Sequence, residues 1–63
     1  MNAQETINKY LSLKKQRDTI IKELGLIPYN DMYTESLQFS IQSLNYQMDQ
    51  LTSSNKHLLS QYL

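Results

Sequence analysis

The sequence predicts an all-α fold, a two-helix antiparallel hairpin that self-associates into a helical bundle or coiled coil. Two observations support this prediction. Leucines recur at every seventh residue in the second half of the 63-residue chain, and its single Gly and single Pro lie close together near the middle. A leucine heptad is typical of a helix that packs on another helix, and clustered Gly and Pro mark one turn. We therefore expect one helical-hairpin domain, residues 1–63.

The first helix is expected over residues 3–24. Asn2 can accept a hydrogen bond from the amide three residues on, and Glu5 places negative charge at the positive end of the helix dipole. Gly25 is expected to close the helix in the left-handed conformation, and Pro28 prevents the helix from resuming at once.

The second helix is expected over residues 31–62, because no Gly or Pro interrupts it. Ser53, Ser54 and Asn55 are poor helix formers, however, and the chain can instead fray or bend there. Its two heptad seam positions are apolar except where Asn55 takes one of them, and a seam Asn can pair with its symmetry mate and fix the register. We define the leucine seam, predicted to lie between chains, as Leu37, Ile41, Leu44, Met48, Leu51, Asn55, Leu58 and Tyr62.

The residues beside the leucine seam favour a bundle over a simple two-stranded coiled coil. The flanking positions carry no charge, and Phe39 and Tyr46 lie outside the seam, where two or more associated hairpins would cover them. The second helix should also extend beyond the first after about residue 55. An apolar tail left unburied there, with Leu58, Leu59, Tyr62 and Leu63, predicts self-association, most simply a homodimer that forms a four-helix bundle.

The turn is a first candidate partner surface, because it is unusually apolar. Leu26, Ile27 and Tyr29 either seal the closed end of the hairpin or, if exposed, form a docking patch for an unidentified protein.

A cluster of basic residues is a second candidate partner surface. Lys14, Lys15 and Arg17 interrupt the apolar face of the first helix. Their alkyl stems either cover apolar surface while the charges reach water or carboxylates of the second helix, or the three cations contact an acidic partner or a phosphate backbone.

Composition excludes several classes of function. Six basic residues balance six acidic ones, so no global field attracts nucleic acid. Without cysteine, and with His57 as the single histidine, a structural metal is not expected. Catalytic and cofactor motifs are lacking, so we expect no enzyme and no cofactor. There is neither a basic-apolar leader nor an apolar run of about 20 residues, so we expect a cytoplasmic protein without a membrane span.

In length and in its helix, Gly25-Leu26 turn, helix layout, the chain resembles the small bacterial aspartyl-phosphate phosphatases that act on sporulation response regulators. These proteins carry Ser-Gln-Glu-Leu-Asp in the second helix, and the aligned segment 45–49 of this chain matches that signature at Asp49 alone. The resemblance implies action on a response regulator, with Asp49 as the residue carried over.

The expected function is that of a non-enzymatic protein–protein interaction module of the adaptor or inhibitor type, such as phages and mobile elements often make. Two alternatives stand beside it. One is the response-regulator function that the resemblance implies, and the other is weak nucleic-acid binding through the basic first helix.

Overall fold

Three helices form an antiparallel hairpin with a folded-back tail in the computed structural model, which describes residues 2–27 and 31–63. Helix α1 is Ala3–Leu26, α2 is Asp31–Ser54 and α3 is Lys56–Leu59, followed by a 3-10 turn, Ser60–Tyr62. Helices α1 and α2 pack against each other along their length, and α3 packs on both of them. The all-α class and the antiparallel hairpin are therefore confirmed.

The start of α1 agrees with the sequence prediction and its end does not. Asn2 caps the helix, since its Oδ1 accepts a 2.8 Å hydrogen bond from the Glu5 amide. Gly25, however, is helical and does not adopt a positive φ. Helix α1 continues to Leu26 and ends where Ile27 turns to an extended conformation, with φ of −100° and ψ of 151°. The predicted left-handed glycine cap is therefore wrong, and the helix is two residues longer than expected.

The second helix stops at Ser54. The predicted continuous helix to residue 62 is therefore wrong, and the alternative of a bend at Ser53 to Asn55 is confirmed. Asn55 leaves the helical conformation, with φ of −134° and ψ of 38°. Its backbone amide and its Nδ2 both donate to the carbonyl oxygen of Leu51, at 2.9 and 3.0 Å. Thr52 to Asn55 are weak helix formers whose side chains compete for backbone hydrogen bonds, as Thr52 Oγ1 does at the Met48 carbonyl. The break therefore costs little helical free energy.

The break returns the tail to the hairpin and places Leu59 in its core. Leu59 is fully buried, at 0% exposure. It belongs to one cluster with Tyr10, Leu13, Leu44 and Met48. Leu58 and Tyr62 are half-buried. The prediction of an unburied tail is wrong for Leu58, Leu59 and Tyr62, and it is confirmed for Leu63, which is exposed. Burying a leucine side chain is worth about 1.5–3 kcal/mol, and a continuous helix would forfeit that gain at Leu59.

Candidate interaction surface

The leucine seam of α2 faces α1 of the same chain. Leu37, Leu44 and Met48 are buried, and Ile41 and Leu51 are half-buried. Beyond α2 the heptad pattern no longer describes one helix face, since Asn55 terminates the helix and binds the Leu51 carbonyl. An interface between chains through this seam stays a prediction, and it would have to displace the α1 contacts that already cover the seam.

Of the three predicted basic residues, Lys14 and Lys15 line one surface depression of α1, and Arg17 does not. Arg17 donates to Asp18 at 3.1 Å and to Asn45 of α2 at 3.2 Å. Lys14 is half-buried, and its Nζ donates to the carbonyl oxygen of Tyr62 at 3.4 Å. Lys15 is exposed on the outer side of α1. Two of these cations therefore hold parts of the hairpin together.

Lys15 shares the outer side of α1 with a shallow depression of about 380 Å³. Lys14 and Lys22 also line this depression, whereas Leu11 and Asp18 bring an apolar and an acidic side chain. This side of α1 therefore combines basic, acidic and apolar side chains, and it serves as a comparison surface for tests of other faces.

The turn residues are only partly described by the structure. Leu26 is 76% exposed, whereas Ile27 is half-buried. Tyr29 lies outside the described residues. The use of this turn as a docking patch stays a prediction.

A more extensive apolar surface lies along α2, on the side that does not contact α1. Met32, Phe39 and Tyr46 are 84%, 73% and 65% exposed. They are spaced by seven residues, so they form a line along the helix. Between them lie Ser36 and Ser43 on one side of the line and Glu35 and Gln42 on the other, all of which are exposed. The sequence predicts that Phe39 and Tyr46 lie outside the leucine seam and that other helices cover them; within the single chain both rings are exposed.

The edge of α1 borders this line of α2 and completes the surface. A depression of about 310 Å³ lies between Phe39 and Gln16, and a second of about 300 Å³ lies between Tyr46 and Lys9. At the other end, Glu23 Oε1 accepts a 2.5 Å hydrogen bond from the Tyr33 hydroxyl. We define the aromatic face as Met32, Ser36, Phe39, Ser40, Ser43, Tyr46, Gln47 and Gln50 of α2 with Lys9, Gln16 and Glu23 of α1.

The pKa of Tyr33 is raised above its ordinary value of 10. The main cause is the hydrogen bond to Glu23, which requires the protonated hydroxyl, and the negative charge of that carboxylate adds to it. The contact therefore favours a neutral tyrosine beside a charged carboxylate at the end of the aromatic face.

The polar residues do not assemble into a metal or membrane site in the described part of the chain. No group of three or more His, Asp or Glu side chains there is placed to hold a metal ion. None of the described helices is long and apolar enough to cross a bilayer. Asp49 and His57 are both exposed.

These features define the chain as an antiparallel helical hairpin with one exposed aromatic face. No protein-family model matches the chain, and no curated protein and no solved structure is significantly similar to it. The implied function on a response regulator, with Asp49 as its residue, stays a prediction.

Proposed function

We propose that this chain is a protein–protein interaction module of the adaptor or inhibitor type, and that it binds through the aromatic face. The observation that carries the proposal is the exposure of Met32, Phe39 and Tyr46 along one line of α2. Aromatic residues and Met are enriched in the cores of protein interfaces, where charged residues are depleted.

The internal packing of the hairpin adds support. The apolar side chains that stabilise the single chain, Leu13, Leu44 and Leu59 among them, are already buried in its core. Phe39 and Tyr46 remain exposed although they are large aromatic residues. They add little to the folding of the isolated hairpin, so a role in binding explains their presence better than a role in its core.

Photo-crosslinking inside cells that produce the chain tests this proposal. A photoreactive phenylalanine analogue in place of Phe39 should form an adduct with another protein molecule. The same analogue in place of Leu11, which is 40% exposed on the outer side of α1, is the matched control. Adducts from position 39 that are absent from position 11 would support the proposal. Equal yields at both positions, or no adduct at position 39, would contradict it.

Two other functions stay predictions. Nucleic-acid binding through Lys14, Lys15 and Arg17 should depend steeply on salt. However, Lys14 and Arg17 make contacts within the chain. Action on a response regulator should accelerate loss of phosphate and should be sensitive to Asp49→Asn.

A further inference from the structure

We propose that the partner of the aromatic face is a basic amphipathic helix of another protein. Its apolar stripe lies on Phe39 and Tyr46, and its Lys or Arg side chains meet the carboxylates around these rings. The inference rests on the proposed function, because it names the chemistry of the partner that this face takes. Two observations carry it, the distribution of charge around the exposed rings and the depressions that run beside them.

The edge of α2 that lies beyond the rings, on the side away from the α1 border, is acidic. Glu35 and Asp49 are both exposed there. Glu35 precedes Phe39 by four residues and Asp49 follows Tyr46 by three, so each carboxylate is a neighbour of one ring on the helix surface. The two carboxylates are about 21 Å apart along α2, and they bracket the pair of rings. The sequence of α2, Asp31–Ser54, contains no Lys, Arg or His to neutralise them.

The α1 border of the aromatic face is also negative on balance. Lys9 is its single cation, and Glu5 lies one turn away on the same edge of α1, where both are exposed. Glu23 lies toward the other end and accepts a hydrogen bond from the Tyr33 hydroxyl, a neutral donor that does not cancel its charge. Together with the two carboxylates of α2, four carboxylates border the rings against one ammonium group.

The remaining cations of the chain lie outside the aromatic face. Arg17 reaches Asn45 of α2 but also forms an ion pair with Asp18. Lys56 belongs to α3, beyond the break at Asn55. Three further lysines line the depression on the outer side of α1: Lys14, Lys15 and Lys22. The chain as a whole is neutral, so this separation leaves the aromatic face negative. Such a face attracts a basic partner and repels nucleic acid and anionic membranes.

The depressions on the other side of the rings have the spacing of a helix. One of about 310 Å³ lies between Phe39 and Gln16, and one of about 300 Å³ lies between Tyr46 and Lys9. The two rings are seven residues apart, which is about 10 Å along α2. Apolar side chains seven residues apart on one face of a partner helix have the same spacing. They can enter both depressions while neighbouring cations on that helix reach the carboxylates, as in other helix-in-groove complexes.

A second copy of the chain suits this face less well than a separate basic partner. Two aromatic faces placed together set carboxylates beside carboxylates. The outer side of α1, with Leu11, Lys15 and Lys22, would meet the aromatic face of another copy only head to tail. A head-to-tail contact that does not close leaves a free face at each end and continues into a filament. A basic helix from another protein satisfies the face without either consequence.

Fluorine NMR on the purified full chain tests the charge of the occupant. Phe39 is the single phenylalanine of the chain, so incorporation of 4-fluorophenylalanine gives one resonance that reports on the aromatic face. The probes are three synthetic alanine-based peptides, each about 27 Å long as a helix of about 18 residues. The Lys peptide has heptad-spaced leucines flanked by lysines, the Glu peptide has glutamate in place of each lysine, and the scrambled peptide has the Lys peptide's composition without its leucine stripe. The Lys peptide should shift the resonance saturably, with an affinity at least about tenfold higher than either other peptide.

Charge variants of the chain test which carboxylates matter. Glu35→Gln with Asp49→Asn should weaken the Lys peptide by about threefold or more, because exposed ion pairs are individually weak. Gln4→Lys with Thr19→Lys, two exposed positions on the outer side of α1, gives the same net charge and should bind the Lys peptide like the parent chain. Glu35→Lys with Asp49→Lys should reverse the preference, so that the Glu peptide shifts the resonance more strongly. Circular dichroism should show unchanged helicity, since the four positions are exposed.

Three outcomes would overturn the basic helix as the occupant. They are no shift with the Lys peptide at about 1 mM, equal shifts with all three peptides, and a Glu35→Lys, Asp49→Lys chain that still prefers the Lys peptide. Filaments of the parent chain that displace the Lys peptide would overturn it too, in favour of a second copy. In each case, foreign-protein adducts specific to position 39 would still support an interaction module.

The segment that is crosslinked to position 39 in cells gives the closing test. Tandem mass spectrometry of the adduct identifies that segment. A segment of another protein with apolar residues at helical spacing and more Lys and Arg than Asp and Glu is the expected result. A neutral or acidic segment, or one from the chain itself, would overturn this inference and leave the proposed function standing. Absence of any adduct at position 39 would overturn both.

Discussion

The Tyr33 hydroxyl donates a 2.5 Å hydrogen bond to Glu23 Oε1, and this bond joins the end of α1 to the start of α2. Both residues lie beside the turn, so the contact ties the two helices together where the chain reverses direction. Because the bond requires the tyrosine proton, it makes the closed end of the hairpin sensitive to alkaline pH.

The first prediction concerns this pH dependence. The pKa of Tyr33 is raised in the folded protein, so the folded chain holds the proton more tightly than the unfolded chain does. The stabilisation is fully present below pH ~10 and is lost as the pH rises through the raised pKa. Tyr33→Phe should therefore melt below the parent chain at neutral pH, and the difference should shrink above pH ~10. Glu23→Gln should return the Tyr33 pKa toward its ordinary value in an absorbance titration, whereas an unchanged titration would argue against this bond.

The second prediction concerns Leu59, the most deeply buried side chain of the core. Leu59→Ala should lower the free energy of unfolding by about 2–5 kcal/mol, because it removes buried methyl groups and leaves a cavity. Urea denaturation followed by circular dichroism measures this loss. Leu59→Met serves as a milder variant, with an expected loss below about 1.5 kcal/mol.

Leu63→Ala is the matched control for the tail. Leu63 is 68% exposed, so its truncation should change stability by no more than about 0.5 kcal/mol. Equal losses for the two leucines would mean that the tail does not fold back on the hairpin.

The third prediction concerns Gly25, which is helical and exposed. A Cβ atom at this position would meet nothing within 4 Å. Gly25→Ala should therefore raise the free energy of unfolding by about 0.5–1 kcal/mol, because alanine loses less conformational entropy in a helix. A thermal melt of the two chains gives the sign directly. Destabilisation would instead indicate the left-handed cap that the sequence suggests.

The fourth prediction concerns the cap of α1. Asn2→Ala removes the acceptor of the 2.8 Å hydrogen bond from the Glu5 amide, and it should cost about 1 kcal/mol. Asn8→Ala is a suitable control, since Asn8 accepts an exposed hydrogen bond from Gln4 within α1 and should cost no more than about 0.5 kcal/mol. Similar losses in denaturant titrations of the two variants would show that the cap is not used.

Whether α2 ends at Ser54 or continues to residue 62 is not determined by the local sequence. Ser53, Ser54 and Asn55 lower the helical preference of their segment, but the absence of Gly and Pro gives no decisive stop. The contact that decides the outcome is the burial of Leu59 beside Tyr10 and Leu13, nearly 50 residues away in sequence. The residues around Asn55 do not reveal the free energy that the burial of Leu59 contributes.

The sequence by itself determined two helices, the antiparallel reversal between them, the Asn2 cap and the leucine seam of α2. Each of these follows from short-range chemistry: heptad spacing, capping geometry and the Gly25 to Pro28 region. The tertiary structure decided which helix covers the leucine seam, where α2 ends and which aromatic side chains stay exposed. Heptad spacing specifies that a stripe must be buried but not by which helix, and the core of this small hairpin is completed only when the tail packs against α1.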